Sequence, residues 1–305
     1  MRRARLINTL GLTLMGLAMA AMAHADAPPQ RLPSAVLVWP LVVVEGGGAT
    51  TDTRVELVNL SPRPIEVKCV YVFSGSCGAI DFHIYLTPNQ PITWLASRGM
   101  FSGLSAVPPF SSNGELKCIV QPEEEGVDRH NAIQGRAAVF GADGQTIGYS
   151  AVGFLRLTDG PLTNIIELNG DTYSQCPDEQ HFLFIASEGT PQTESEIVLA
   201  PCTEDLENRI PTATTVQFLV INEFEQQLSA ATQVNCYSRR TLRQISQAFT
   251  RATLGSETGH VIVRGVQSPI LAMVIDRFVT PDMARGTAGN EPALRGGRSA
   301  EIRIP

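Results

Sequence analysis

Six cysteines, Cys69, Cys77, Cys118, Cys176, Cys202 and Cys236, carry the most definite chemistry in this 305-residue chain. An even number of thiols in an exported protein points to disulfides. Cys69 and Cys118 each fall on the apolar side of an alternating segment, which suits a bridge between two sheets through a core. A local Cys69–Cys77 bridge is the rival. In the second half Cys176 pairs with Cys202, and Cys77 and Cys236 remain to tie the halves together. No Cys-x-x-Cys pair occurs and no histidine sits at ligand spacing, so neither a metal nor another cofactor is expected.

Other reactive types give no catalytic constellation. Gly148-Tyr149-Ser150-Ala151-Val152-Gly153 is one residue too long for a nucleophile elbow and reads as strand. His83 lies on the polar side of its strand and His130 in a charged loop; with His181 and His260 they read as ordinary strand and surface residues. Glu123-Glu124-Glu125 with Asp128 lacks the spacing of a calcium loop. Gly46-Gly47-Gly48 has no following Lys-Ser/Thr and is a link, not a phosphate cradle. Two ligand-binding candidates remain. Trp94, after Pro91, could offer a stacking platform to a sugar. Arg239, Arg240 and Arg243, with Arg251, make a basic cluster on an acidic chain that could dock an anionic partner.

These residues must be held by strands. Ile65, Val67, Cys69, Tyr71 and Phe73 alternate with polar neighbours; Phe82, Ile84 and Leu86 do the same, as do Leu116, Cys118 and Val120. Period-two alternation predicts sheets with one covered face. Ala35 to Val44 and Ile270 to Ile275 are apolar throughout and read as buried strands. Asp143-Gly144 and Asn169-Gly170 predict tight turns. Leu242, Ile245, Phe249 and Ala252 fall at helical spacing, with Ser238 as a possible cap and Gly255 as a stop; helix and strand both stay open there.

A leader precedes the strands. Arg2, Arg3 and Arg5, an apolar run, and Ala23-His24-Ala25 before Asp26 have the layout of a secretory signal peptide cleaved near Ala25. The mature chain is expected in the periplasm or outside the cell, without a membrane span. Losing three arginines takes the net charge from −7 to −10, which excludes nucleic acid as a natural partner. An internal duplication relates Ala35–Tyr71 to Glu196–Tyr237: a strand closed by proline, a threonine-rich strand ending at asparagine, then a segment with cysteine.

Short strands with Gly/Pro turns predict an all-β protein of two tandem immunoglobulin-like β-sandwich domains. The first would span 33–170 and the second 171–280, with 281–305 as a disordered tail. At Thr51–Asn59, Val67–Tyr71 and Asp81–Pro88 the chain resembles exported bacterial proteins with immunoglobulin-like domains; the resemblance implies fold and export, and no activity. Periplasmic pilus chaperones are a more distant likeness, but no motif places Lys68 and Lys117 as their carboxylate anchor. The expected function is that of an exported, non-catalytic binding or scaffolding protein with a protein or glycan partner. The alternatives are a secreted hydrolase whose site is assembled from separate strands, and a carbohydrate-binding module built around Trp94.

Overall fold

The computed structural model describes residues 32–46, 50–121, 131–141, 144–158, 164–188, 193–279, 285–290 and 292–305. The expected signal peptide, the Glu123–Glu125 run with Asp128 and His130, and Asp143 lie outside these residues.

The chain is all-β, and the described residues form five sheets of three to five strands. Sheet I has the order Val152–Phe154, Val36–Val43, Asn113–Val120, Ile65–Phe73, Ala79–Leu86. Sheet II runs Thr146–Ser150, Ile133–Phe140, Asp52–Asn59, Pro91–Leu95. Sheet III joins Ile165–Leu168, Ala300–Arg303 and Glu204–Asp205. Sheet IV runs Gln227–Asn235, Ala213–Asn222, Thr258–Gly265, Cys176–Ile185, Ala293–Arg298. Sheet V runs Ser238–Thr241, Glu194–Pro201, Ile270–Val279, Arg285–Asn290. A separate ribbon pairs Met100–Ser102 with Ser105–Val107.

The sheets pack face to face around three cores. Leu37, Trp39, Cys69, Tyr71 and Leu116 of sheet I meet Val55, Leu57, Trp94 and Val139 of sheet II. Val198, Met273 and Ile275 of sheet V reach the same core. The other side of sheet I, with Val36, Val38, Val70 and Ile119, packs on Ile166, Leu168 and Ile302 of sheet III. Sheets IV and V enclose Phe182, Phe184, Phe218, Val261, Ile197 and Leu199.

Covered faces explain the sequence patterns. Val36–Val43 is buried at all eight positions because sheets II and III cover its two sides. The register slips between Trp39 and Val42, around Pro40, which has no N–H to give to the ladder. Thr53 Oγ1 instead receives the Val43 N–H at 2.8 Å. The Trp39 ring fills the space where a side chain at Gly135 would stand, since a Cβ there would lie 2.1 Å from the indole. Asp52–Asn59 and Ala213–Asn222 bury every second residue, as strands with one covered face do.

Three expectations need correction. The five blade-like sheets make a propeller-like arrangement rather than two immunoglobulin-like domains; the core between sheets I and II includes residues of sheet V, and sheet III draws strands from 165, 204 and 300 onward. Much of the supposed disordered tail is strand: Arg285–Asn290, Ala293–Arg298 and Ala300–Arg303 each pair with an earlier strand, and Ile302 and Ile304 are buried. The glycines there masked the two apolar residues that anchor it. Between 238 and 254 the chain is first strand, then two single helical turns around a short 3-10 turn. Thr241 rather than Ser238 caps it, and Gly255 at φ 75° ends it.

Candidate functional site

All six cysteines are paired: Cys69–Cys118, Cys77–Cys236 and Cys176–Cys202. These are the couplings the sequence nominated, but the first is built differently. Cys69 and Cys118 face each other on neighbouring strands of sheet I, with Cα atoms 4.0 Å apart, instead of crossing between sheets. Cys77–Cys236 spans 159 residues. Disulfides of this kind fit an oxidising, non-cytoplasmic compartment. Among the described residues no helix is long and apolar enough to cross a membrane.

The ligand candidates do not gather. Trp94 is 4% exposed in the first core, and its indole Nε1 donates to the Tyr71 hydroxyl at 2.8 Å; it offers no platform to a sugar. Arg239 and Arg240 are consecutive on a strand, so they take opposite faces. Arg239 Nε pairs with Glu196 Oε1 at 2.7 Å and Nη1 with Glu45 at 3.2 Å, while Arg240 is exposed and reaches Thr232. Arg243 is half-buried on a helical turn, and Arg251 is held by Glu188 and Glu257. The basic cluster of the sequence is thus dispersed, with Arg239 and Arg251 paired to carboxylates.

A groove of about 770 Å³ lies on the outer face of sheet II. Its charges are also spent internally: Glu56 pairs with both Arg54 and Arg136, at 3.1 and 2.5 Å. Among the described residues no group of three or more His, Cys, Asp or Glu could hold a metal ion.

A site the sequence did not nominate lies at the edge of sheet I. Ala79–Leu86 is the end strand there, and the Met100–Val107 ribbon lies against it. Ser105 fastens the two: its hydroxyl accepts the Tyr85 N–H at 2.9 Å and donates to the Tyr85 carbonyl at 3.2 Å. Gly99 makes the entry to the ribbon possible. It has φ 64°, and a Cβ there would lie 2.1 Å from the Val107 carbonyl oxygen. The ribbon thrusts Phe101 and Leu104 into solvent, 85% and 80% exposed.

Between ribbon and sheet runs a groove of about 870 Å³. Asp81, His83 and Tyr85 alternate along its floor because they share the outer side of one strand, and Glu66 stands beside them on the next. His83 Nδ1 is 2.5 Å from Glu66 Oε1. The same carboxylate, by hydrogen bond and charge, holds the Tyr85 hydroxyl above the usual tyrosine range. Glu66 therefore orients a histidine and a phenol on a floor walled by Met100, Phe101 and Leu104. The only chemical signal for this site was His83 within an alternating strand; the exposed ribbon had none, because no local pattern distinguishes an exposed Phe101 or Leu104 from a buried one.

A buried ionic cluster joins sheets I and III. Lys117 Nζ is 2.6 Å from Glu115 and 2.5 Å from Glu204, and all three are at most 3% exposed. Burial opposes the Lys117 charge, but the two carboxylates outweigh it and raise its pKa. Burial, then the Glu115 charge, pushes Glu204 well above the ordinary 4.5, against the pull of Lys117. Lys68 reaches the Pro305 carbonyl oxygen, so neither lysine is free to serve as an anchor.

No protein-family model matches this chain, and no curated protein or solved structure matches it.

Proposed function

We propose that this is an exported, non-catalytic binding protein that takes an extended, partly apolar segment of a partner protein in the groove under the Met100–Val107 ribbon. The exposure of Phe101 and Leu104 carries the reading. Large apolar side chains set together above a groove, with a polar floor beneath, have the make-up of a protein contact: apolar anchors and a few placed polar groups. Glu66, His83 and Tyr85 supply donors and acceptors for a partner's backbone. Cleavage near Ala25 and residence in the periplasm or outside the cell belong to the same proposal; the three disulfides support the oxidising compartment.

The experiment is peptide selection from a displayed library on the disulfide-intact mature protein, followed by affinity measurements. Selected peptides are expected to lose at least about tenfold in affinity on Phe101→Ser or Leu104→Ser, with the melting temperature unchanged. Peptides indifferent to both substitutions would refute the groove as the binding surface.

The His83–Glu66 contact favours a second reading, a hydrolase with His83 as base and Glu66 as its orienter. It lacks a nucleophile at this place, since Ser105 is buried and committed to the Tyr85 backbone. Turnover on an ester or glycoside panel that His83→Gln abolishes would move the assignment to that reading.

A further inference from the structure

His181 and His260 stand on neighbouring strands of sheet IV. In the register His181 faces Ile262 and Leu183 faces His260, so the two histidines are diagonal neighbours. Their chain neighbours Phe182 and Val261 point into the core; the imidazoles therefore lie on the outer side of the sheet. The rings are within 18° of parallel, and His181 Nδ1 is 3.1 Å from His260 Nε2. Two metal–nitrogen bonds of about 2.0–2.1 Å, meeting between a right angle and the tetrahedral angle, place their nitrogens about 2.9–3.4 Å apart. The observed separation falls in that window.

The far side of His181 also suits a ligand. Its Nε2 makes no hydrogen bond, and Glu179 Oε2 stands 3.9 Å away. A small ring movement lets Nε2–H donate to that carboxylate, as ligating histidines do, which leaves the Nδ1 lone pair facing His260. In the metal-free pair one nitrogen donates to the other; loading an ion requires only that this proton move to the far nitrogen of its own ring.

We propose that His181 Nδ1 and His260 Nε2 form a two-point chelate for a divalent transition ion, with Cu²⁺ preferred over Zn²⁺ and water in the remaining positions. Imidazole suits both ions, and the usual order of divalent affinities puts copper first.

The test is titration of the disulfide-intact, metal-free mature chain with Cu²⁺ and, separately, Zn²⁺, with copper nitrogen hyperfine structure as a second readout. The expected result is one Cu²⁺ per chain, bound tighter than Zn²⁺, with two imidazole nitrogens coupled to it. His181→Asn and His260→Asn are each expected to weaken it by at least about tenfold, and Glu179→Gln by less. Both histidines are on the outer side of a sheet, so the variants keep their melting temperatures; a variant that does not is replaced by the corresponding glutamine. Copper affinity unchanged in the double variant, absence of one-to-one binding, or coupling to fewer than two imidazoles would overturn the chelate.

Discussion

Sheets I and IV each have five strands, yet they are used differently. Sheet I is covered on both sides: sheet II packs on Leu37, Trp39, Tyr71 and Leu116, and sheet III on Val36, Val38, Val70 and Ile119. Sheet IV buries one side against sheet V and leaves Leu183 and Leu219 exposed on the other. Covering both sides of a sheet traps whatever polar groups its strands carry. In sheet I these are Lys117 and Glu115, whose opposite charges offset each other, with Glu204 of sheet III packed against Lys117. In sheet IV the corresponding side can keep histidines, arginines and carboxylates in contact with water. Solvent-facing polar groups therefore stand on the open side of sheet IV and along the end strand of sheet I beside the ribbon.

The contrast can be broken at its covered face. Val36→Asp places a charge without a partner between sheets I and III, where Val36 is fully buried. It is expected to destabilise the protein by more than about 4 kcal/mol, read by urea denaturation with the disulfides intact. Tolerance of this change would mean that sheet III does not seal sheet I.

A smaller effect follows from Glu204. Its folded-state pKa lies well above 4.5, so the native protein binds a proton that the unfolded chain releases. That stabilisation is complete below the unfolded value and fades as pH rises toward the folded one, by at most about 1.4 kcal/mol per pH unit. Glu204→Gln keeps the shape and removes the titration. Melting temperatures from about pH 5 to 8 should then converge on, or cross in favour of, the variant as pH rises. Parallel curves would show that Glu204 does not hold the proton.

The smallest effect is expected on the open side. Leu183→Ser, at a residue 71% exposed, should change stability by no more than about 0.5 kcal/mol in the same denaturation assay. A large loss there would show that this side of sheet IV packs on something.

How legible all this is in the sequence follows the same division. Alternation in Ile65–Phe73 announced strands, and the unbroken apolar run around Val36–Val43 announced a strand buried on both sides. Of the cysteine couplings, Cys69–Cys118 was marked by the apolar-face position of both residues, with Cys69–Cys77 as its rival, and Cys77–Cys236 was what remained once each half kept a pair. Periodicity says that a face is covered but not by which sheet, so five sheets sharing cores looked like two closed domains. Trp94 stayed open between core and stacking platform because a tryptophan after a turn is compatible with either side of a strand, and the Tyr71 hydroxyl that receives its N–H is a tertiary partner. Arg239, Arg240 and Arg243 misled because closeness in sequence is not closeness on one face of a strand. The groove was illegible, since nothing local marks Phe101 and Leu104 as exposed; only the Ser105 clasp and the turn at Gly99 put them there.

Hydrogen exchange of the mature protein, alone and with a selected peptide, reads the partner's position directly. Protection confined to Asp81–Tyr85 and the Met100–Val107 ribbon is expected if the partner lies in the groove. Protection that spares these two segments and falls on sheet II, or on the Ser238–Thr241 strand that carries Arg239, would contradict it.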